Sequence, residues 1–170
     1  MIPLTLLTIG FCKNPIPQFS LVASNGVKIT EKNFVKKPTV LVFITNSCPM
    51  TPKGLAHFNT LAKGLGKTAQ VVGVLNANLA EAKKLVKANK LTFPVIPDPK
   101  KVIIGGCKAE HSLDFTVVAS SDTPKFPKLW SGYSKTTVQE ALTVIQNHGK
   151  KINKVDLSTF PKSRTWGCAL

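Results

Sequence analysis

Arginine is almost absent from this chain. Arg164 is the single one among 23 basic residues, and the rest are lysine. Nucleic-acid readers rely on clustered arginine, whose planar fork matches bases and phosphates, and on aromatic platforms. One tyrosine and two tryptophans make no such platform. The lysines are scattered, so the formal net charge of +15 reads as solubility and a bias toward acidic surfaces, with no specific nucleic-acid site. Any DNA or RNA binding is expected to vanish near physiological salt and to ignore sequence. A salt titration checks this, and tight binding surviving at one lysine cluster would refute it. No apolar run reaches the length of a membrane span. Cys-x-x-Cys is missing as well: Cys12, Cys48, Cys107 and Cys168 stand apart, which argues against an ordinary structural zinc site.

What is present suits one α/β domain. The chain has 170 residues and 43% hydrophobic content, enough for a real core. It is organised around residues 39–53, TVLVFITNSCPMTPK. Val40-Leu41-Val42-Phe43-Ile44 is a short apolar run without polar alternation, the mark of a strand buried on both faces. Thr51 is placed to cap a helix and Pro52 to be its first residue. Leu55, Phe58, Ala62 and Leu65 then repeat on one side. Cys48 therefore sits where a buried strand hands over to a helix N-terminus. Unpaired N–H groups and the helix dipole favour a thiolate there.

The remaining elements follow in order. Residues 1–13 are apolar and uncharged for most of their length, a signal remnant or an N-terminal extension. They leave membrane anchoring open and tilt the expected location toward an extracytoplasmic, periplasmic or secreted setting. Residues 16–30 form a hairpin turning at Asn25-Gly26. Residues 70–76 make a second buried strand. Asn78 and Glu81 open a helix as a capping box. The proline-bound 92–99 stretch holds a short strand, 102–106 is a short apolar piece, and 113–119 and 129–133 are further strands. Thr136 and Gln139 start the last helix, which Gly149 stops. Residues 150–170 are a basic tail ending near Cys168, so the domain proper is 14–149. GLGKT at 64–68 lacks the earlier glycine of a phosphate loop and ends a helix. Two strand–helix–strand units and an antiparallel close predict a thioredoxin-like α/β fold: a central mixed sheet flanked by helices, with an N-terminal hairpin extension.

Four fragments carry a resemblance: Pro17-Gln18-Phe19-Ser20-Leu21, Asn46-Ser47-Cys48-Pro49, Phe93-Pro94-Val95 with Asp98, and Gly132-Tyr133-Ser134. In this order they resemble the redoxin branch of the thioredoxin-like superfamily, which holds peroxiredoxins and membrane-anchored thiol–disulfide oxidoreductases. Gly167-Cys168-Ala169-Leu170 is similar to the Gly-Cys-x-aliphatic ending of a bacterial subgroup. The resemblance implies an oxidoreductase, without cofactor, acting on protein or small-molecule thiols, disulfides or peroxides. Cys48 would be its nucleophile, with Thr45 and Thr51 beside it, and Cys168 its resolving thiol. The departures are specific. Thr51 stands where thioredoxins have their second cysteine, and Leu41 where peroxiredoxins have proline. No arginine precedes Arg164. Leu113 stands where a cis-proline is usual.

That last loop, His111-Ser112-Leu113, also resembles the copper-binding loop of Sco-type chaperones. Cys48, Met50 and His111 would then be soft and imidazole ligands for Cu(I). A third reading is a redoxin domain kept only for interaction. His57, two turns beyond Cys48, is expected to face solvent, and His148 to favour the dipole at a helix end. Cys107 is expected to be structural.

Overall fold

The computed structural model describes residues 14–118, 125–126, 128–152 and 155–170. Cys12 and the 1–13 segment lie outside them. Strand β1 is Asn14–Pro15. Strands β2 (Ser20–Val22) and β3 (Lys28–Thr30) pair antiparallel around the Asn25-Gly26 turn. Gly26 takes φ +81° there, a conformation open to glycine. Helix α1 (Asn33–Lys36) leads into β4 (Thr39–Ile44), whose six residues are all buried. Then come α2 (Thr51–Leu65), β5 (Gln70–Leu75), α3 (Leu79–Ala88) and β6 (Val95–Pro97). Helix α4 (Val102–Gly106), β7 (Phe115–Val118), β8 (Lys125–Phe126), β9 (Leu129–Trp130) and α5 (Lys135–Asn147) complete the order.

The main sheet runs β6-β5-β4-β7-β9, and β1 pairs with β8 apart from it. Strands β4, β5 and β6 are parallel, while β7 and β9 close the other edge antiparallel. Successive side chains of a strand point to opposite faces. Val40, Val42 and Ile44 accordingly join the core under α2 and α5, whereas Leu41 and Phe43 join the core under the hairpin and α4. This is the mixed sheet flanked by helices that the patterns imply, and β4 lies at its centre.

Four local expectations change. Thr51 is the first residue of α2 rather than its cap: its hydroxyl donates to the Thr45 carbonyl oxygen at 2.8 Å, and Met50 precedes the helix without a side-chain cap. Helix α5 is capped by Ser134, which accepts from the Thr137 N–H, so it begins a little before Thr136. The 102–106 piece is helical because Asp98, 2% exposed, accepts from the N–H groups of Val102, Ile103 and Ile104. One carboxylate thereby satisfies three of the donors a helix start leaves open. Of the Asn78–Glu81 capping box only half forms: Asn78 accepts from the Glu81 N–H at 3.0 Å, while the Glu81 carboxylate accepts from Asn46 Nδ2 at 3.0 Å.

His57 is turned inward. Its Nδ1 lies 3.0 Å from the Tyr133 hydroxyl and its Nε2 2.9 Å from the Thr159 carbonyl oxygen. Its ring packs 5.0 Å from that of Phe160. The polar composition of 150–170 conceals two apolar anchors, Leu157 and Phe160, both buried in the α2–α5 core. The tail is therefore held to the domain well before it reaches Cys168.

Candidate active site

Cys48 ends the turn between β4 and α2, and its carbonyl accepts from the Thr51 N–H at 3.1 Å. The residue is 2% exposed, yet it lies just below the surface, because what covers it is the last stretch of the chain. That stretch is bonded backbone to backbone. Tyr133 and Thr165 exchange two hydrogen bonds, of 2.7 and 2.8 Å. The Gly167 N–H donates to the Ser112 carbonyl at 2.7 Å, and the Ser112 N–H donates to the Cys168 carbonyl at 2.8 Å. The Leu170 N–H donates to the Glu110 carbonyl at 2.9 Å.

The Cys168 N–H then points at sulfur: it donates to Cys48 Sγ at 2.9 Å. A Cβ on residue 167 would lie 2.8 Å from Ser112 Cβ and 3.2 Å from Cys48 Sγ, so only glycine lets the backbone come this close. Burial pushes the Cys48 thiol up, but hydrogen bonds outweigh it. The side chain and N–H of Cys168, the N–H of Met50 and the Thr51 hydroxyl all favour the thiolate, and the thiol is lowered on balance. Cys168 is raised, first by its hydrogen bond to Cys48 and then by desolvation and the Cys48 charge. Of the two thiols, Cys48 is therefore the one that gives up its proton more readily.

Ser112 is the hub beneath. Wholly buried, its hydroxyl accepts from the Thr45 N–H at 3.1 Å and lies 3.0 Å from Thr51 Oγ1. Thr45 Oγ1 pairs with Ser47 Oγ at 3.1 Å. The loop is fixed by Asp114, 1% exposed, which accepts from the N–H groups of Glu110, His111 and Gly132. Leu113 takes φ +73°, unusual for a bulky residue. Its side chain lies over α2 at Gly54, where a Cβ would collide with it. No cis peptide occurs among the described residues.

The structure thus brings together Cys48, Thr51 and Cys168, with Thr45 bonded to Thr51 both directly and through Ser112. Met50 is 38% exposed, and His111 Nδ1 lies 3.9 Å from Asp114 Oδ2. Among the described residues no three His, Cys, Asp or Glu side chains group as a metal site, and no helix is long and apolar enough to cross a membrane. Ser112 and Asp114 are the supports that the sequence reading missed, while Gly167 belongs to the terminal motif it had singled out. An aspartate standing directly before the Phe115–Val118 strand was the available signal for Asp114.

Cys107 is the contrast. Burial and the Asp98 carboxylate push it to about 12. Alkylation of Cys48 is therefore expected to follow a titration centred below the ~8.5 of a free thiol, with Cys107 silent until unfolding. A pH series with mass-spectrometric readout checks this. Equal rates for the two at pH 6.5 would mean that Cys48 is not activated.

Comparison with known proteins agrees with this geometry. The AhpC/TSA family model matches residues 12–150. No curated protein matches significantly. Among solved structures, the peroxidoxin BcpB from Mycobacterium tuberculosis is similar at 18% identity and TM-score 0.65, covering 79% of this chain and 96% of that one. A putative thiol:disulfide interchange protein DsbE from Chlorobium tepidum gives 18% identity and TM-score 0.66, covering 78% and 96%. An exposed lipoprotein thioredoxin from Streptococcus pneumoniae gives 18% identity and TM-score 0.64, covering 76% and 98%. These likenesses establish the thioredoxin-like fold, and with the match across most of its length the chain belongs to the AhpC/TSA family of thiol-based redox proteins.

Proposed function

We propose that the protein is a thiol–disulfide oxidoreductase in which Cys48 attacks and Cys168 resolves. The observation that carries this is the Cys168 N–H donating to Cys48 Sγ at 2.9 Å, which sets the two cysteines side by side. The Cys48 thiolate attacks one sulfur of a substrate disulfide. A mixed disulfide forms, and the displaced thiolate leaves and takes up a proton. Cys48 then carries no charge, so the charge that raised Cys168 is gone. Cys168 loses its proton and attacks Cys48 Sγ. The second substrate thiol departs, and a Cys48–Cys168 disulfide remains. The substrate has gained two electrons and the protein has lost them, and an external dithiol resets the pair.

Dithiol exchange is favoured over peroxide reduction by two features. The Thr45 hydroxyl pairs with Ser47. Arg164, the single arginine, is exposed on the tail and acts only at longer range on Glu140 of α5, whose carboxylate pairs with Lys128. Mild oxidation, digestion and mass spectrometry test the proposal. A Cys48–Cys168 link is expected, and Cys48 found only as higher oxides would favour the peroxidase instead.

A further inference from the structure

His57 takes no part in the chemistry described so far, yet it joins both arms that carry the reacting sulfurs. It lies on α2, the helix that follows Cys48. Its half-buried ring reaches the tail with one nitrogen and the turn before α5 with the other. Nε2 is 2.9 Å from the Thr159 carbonyl oxygen, and a carbonyl can only accept, so Nε2 carries the proton. In the neutral ring Nδ1 is then an acceptor, and the Tyr133 hydroxyl donates to it at 3.0 Å. Burial pushes the Tyr133 phenol up, which keeps it an O–H donor. The imidazole also packs 5.0 Å from the Phe160 ring and 5.5 Å from that of Tyr133.

Both partners lie on the route that delivers Cys168. Thr159 stands next to Phe160, a buried anchor of the tail. Tyr133 exchanges its two backbone hydrogen bonds with Thr165, and between these points the Pro161 carbonyl accepts from the Lys135 N–H at 2.9 Å. Cys48 is covered by the tail, so a substrate sulfur reaches it only when the end of the tail stands aside. Resolution then requires that end to return. With 157–160 anchored, the moving arm is 161–168, at most ~26 Å long at ~3.3 Å per residue. Without the anchor the arm starts near residue 150 and is more than twice as long. The local concentration of Cys168 at Cys48 falls roughly as the −3/2 power of arm length, about three- to fourfold here, and further as the arm loses direction.

We propose that His57 is a positioning residue for the resolving step: by bonding Thr159 and Tyr133 at once, it fixes the base from which Cys168 returns to the Cys48 mixed disulfide. The role rests on the thiol-exchange reading and concerns its second step.

The probe is dithiobis(nitrobenzoate), a symmetrical aromatic disulfide with a coloured thiolate, used at one equivalent on full-length Cys12→Ser protein. Cys48 attacks one of its sulfurs and releases one coloured thiolate. Cys168 then loses its proton to solvent, attacks Cys48 Sγ and releases the second. The reagent gains two electrons, and the protein loses two as the Cys48–Cys168 bond forms. His57→Phe keeps the ring packing and removes both hydrogen bonds. Its second release is expected to slow about three- to tenfold. Its first should be as fast or faster, because the cover is looser. His57→Gln, whose amide N–H can donate to the Thr159 carbonyl, should recover part of the rate. Tyr133→Phe removes a single hydroxyl and should slow the second release about two- to threefold. A merely structural role would lower the urea midpoint of these variants and leave the second release of the folded protein unchanged. That result in His57→Phe, or in Tyr133→Phe should His57→Phe fail to fold, would overturn the proposal. Two releases in the parent, at rates that His57→Phe shares, would sink the role of His57 alone. One release and no Cys48–Cys168 link in the parent would sink the exchange mechanism, and this role with it.

Discussion

Asp114→Ala is expected to cost about 3–6 kcal/mol of folding stability, roughly one to two for each of the three backbone donors it orphans. The carboxylate is 1% exposed and accepts from Glu110, His111 and Gly132 at 2.9–3.1 Å. Water cannot readily replace it at the Gly132 N–H, where the bond is buried. A loss of this size is a large share of the 5–15 kcal/mol typical of a domain. The damage also has a location. Asp114 joins the 110–113 loop to the 132–133 turn, and these two segments hold the tail over Cys48. Where the variant still folds, Cys48 should alkylate faster because the cover is loose. Asp114→Asn keeps one oxygen acceptor and should lose less. Urea unfolding with unchanged slope measures the first effect, and alkylation in the native baseline measures the second. A loss below about 1 kcal/mol would mean that the loop is held by something else, such as the Leu113 contact over Gly54.

The same residues show what could be read from the chain and what could not. Strand β4 was legible because five apolar residues in a row admit few other readings, and Cys48 was legible because it follows that strand and precedes Pro52. The hairpin and the α3 cap were legible because Asn25-Gly26 and Asn78 act through chemistry local in sequence. Thr51 was misread as a cap because its hydroxyl is taken by Thr45 across the turn. Helix α4 was unreadable because its donors are met by Asp98 from outside the segment. His57 could not be placed from α2 alone, since its partners are Tyr133 and Thr159, far away in the chain. The docked tail was the least legible feature. Its bonds run from backbone to backbone, and these leave no pattern in side chains. Only Gly167 beside Cys168 hinted that the chain must pass close to something.

Cys168→Ser is expected to leave the first attack nearly intact and to stop the cycle after it. The serine hydroxyl can still donate to Cys48 Sγ, and the backbone N–H at 2.9 Å is unaffected. Serine cannot displace a thiolate from a disulfide, so the mixed disulfide should accumulate. Steady-state turnover with a cysteine-bearing protein disulfide, and no small thiol in solution, should fall by about 100-fold or more. Cys168→Ala separates resolution from thiolate stabilisation. It stops turnover equally and also removes the side-chain donor that helps lower Cys48. The sign follows from which form the donor favours: without it the Cys48 thiol rises, so its alkylation profile moves to higher pH. Serine should leave that profile closer to its original place. Trapped mixed disulfide in both variants, with the profile displaced mainly in alanine, would assign both roles to one residue. Undiminished turnover in Cys168→Ser, with no Cys48–Cys168 link in the oxidised parent, would instead give resolution to an external thiol and leave residues 165–170 only as a cover.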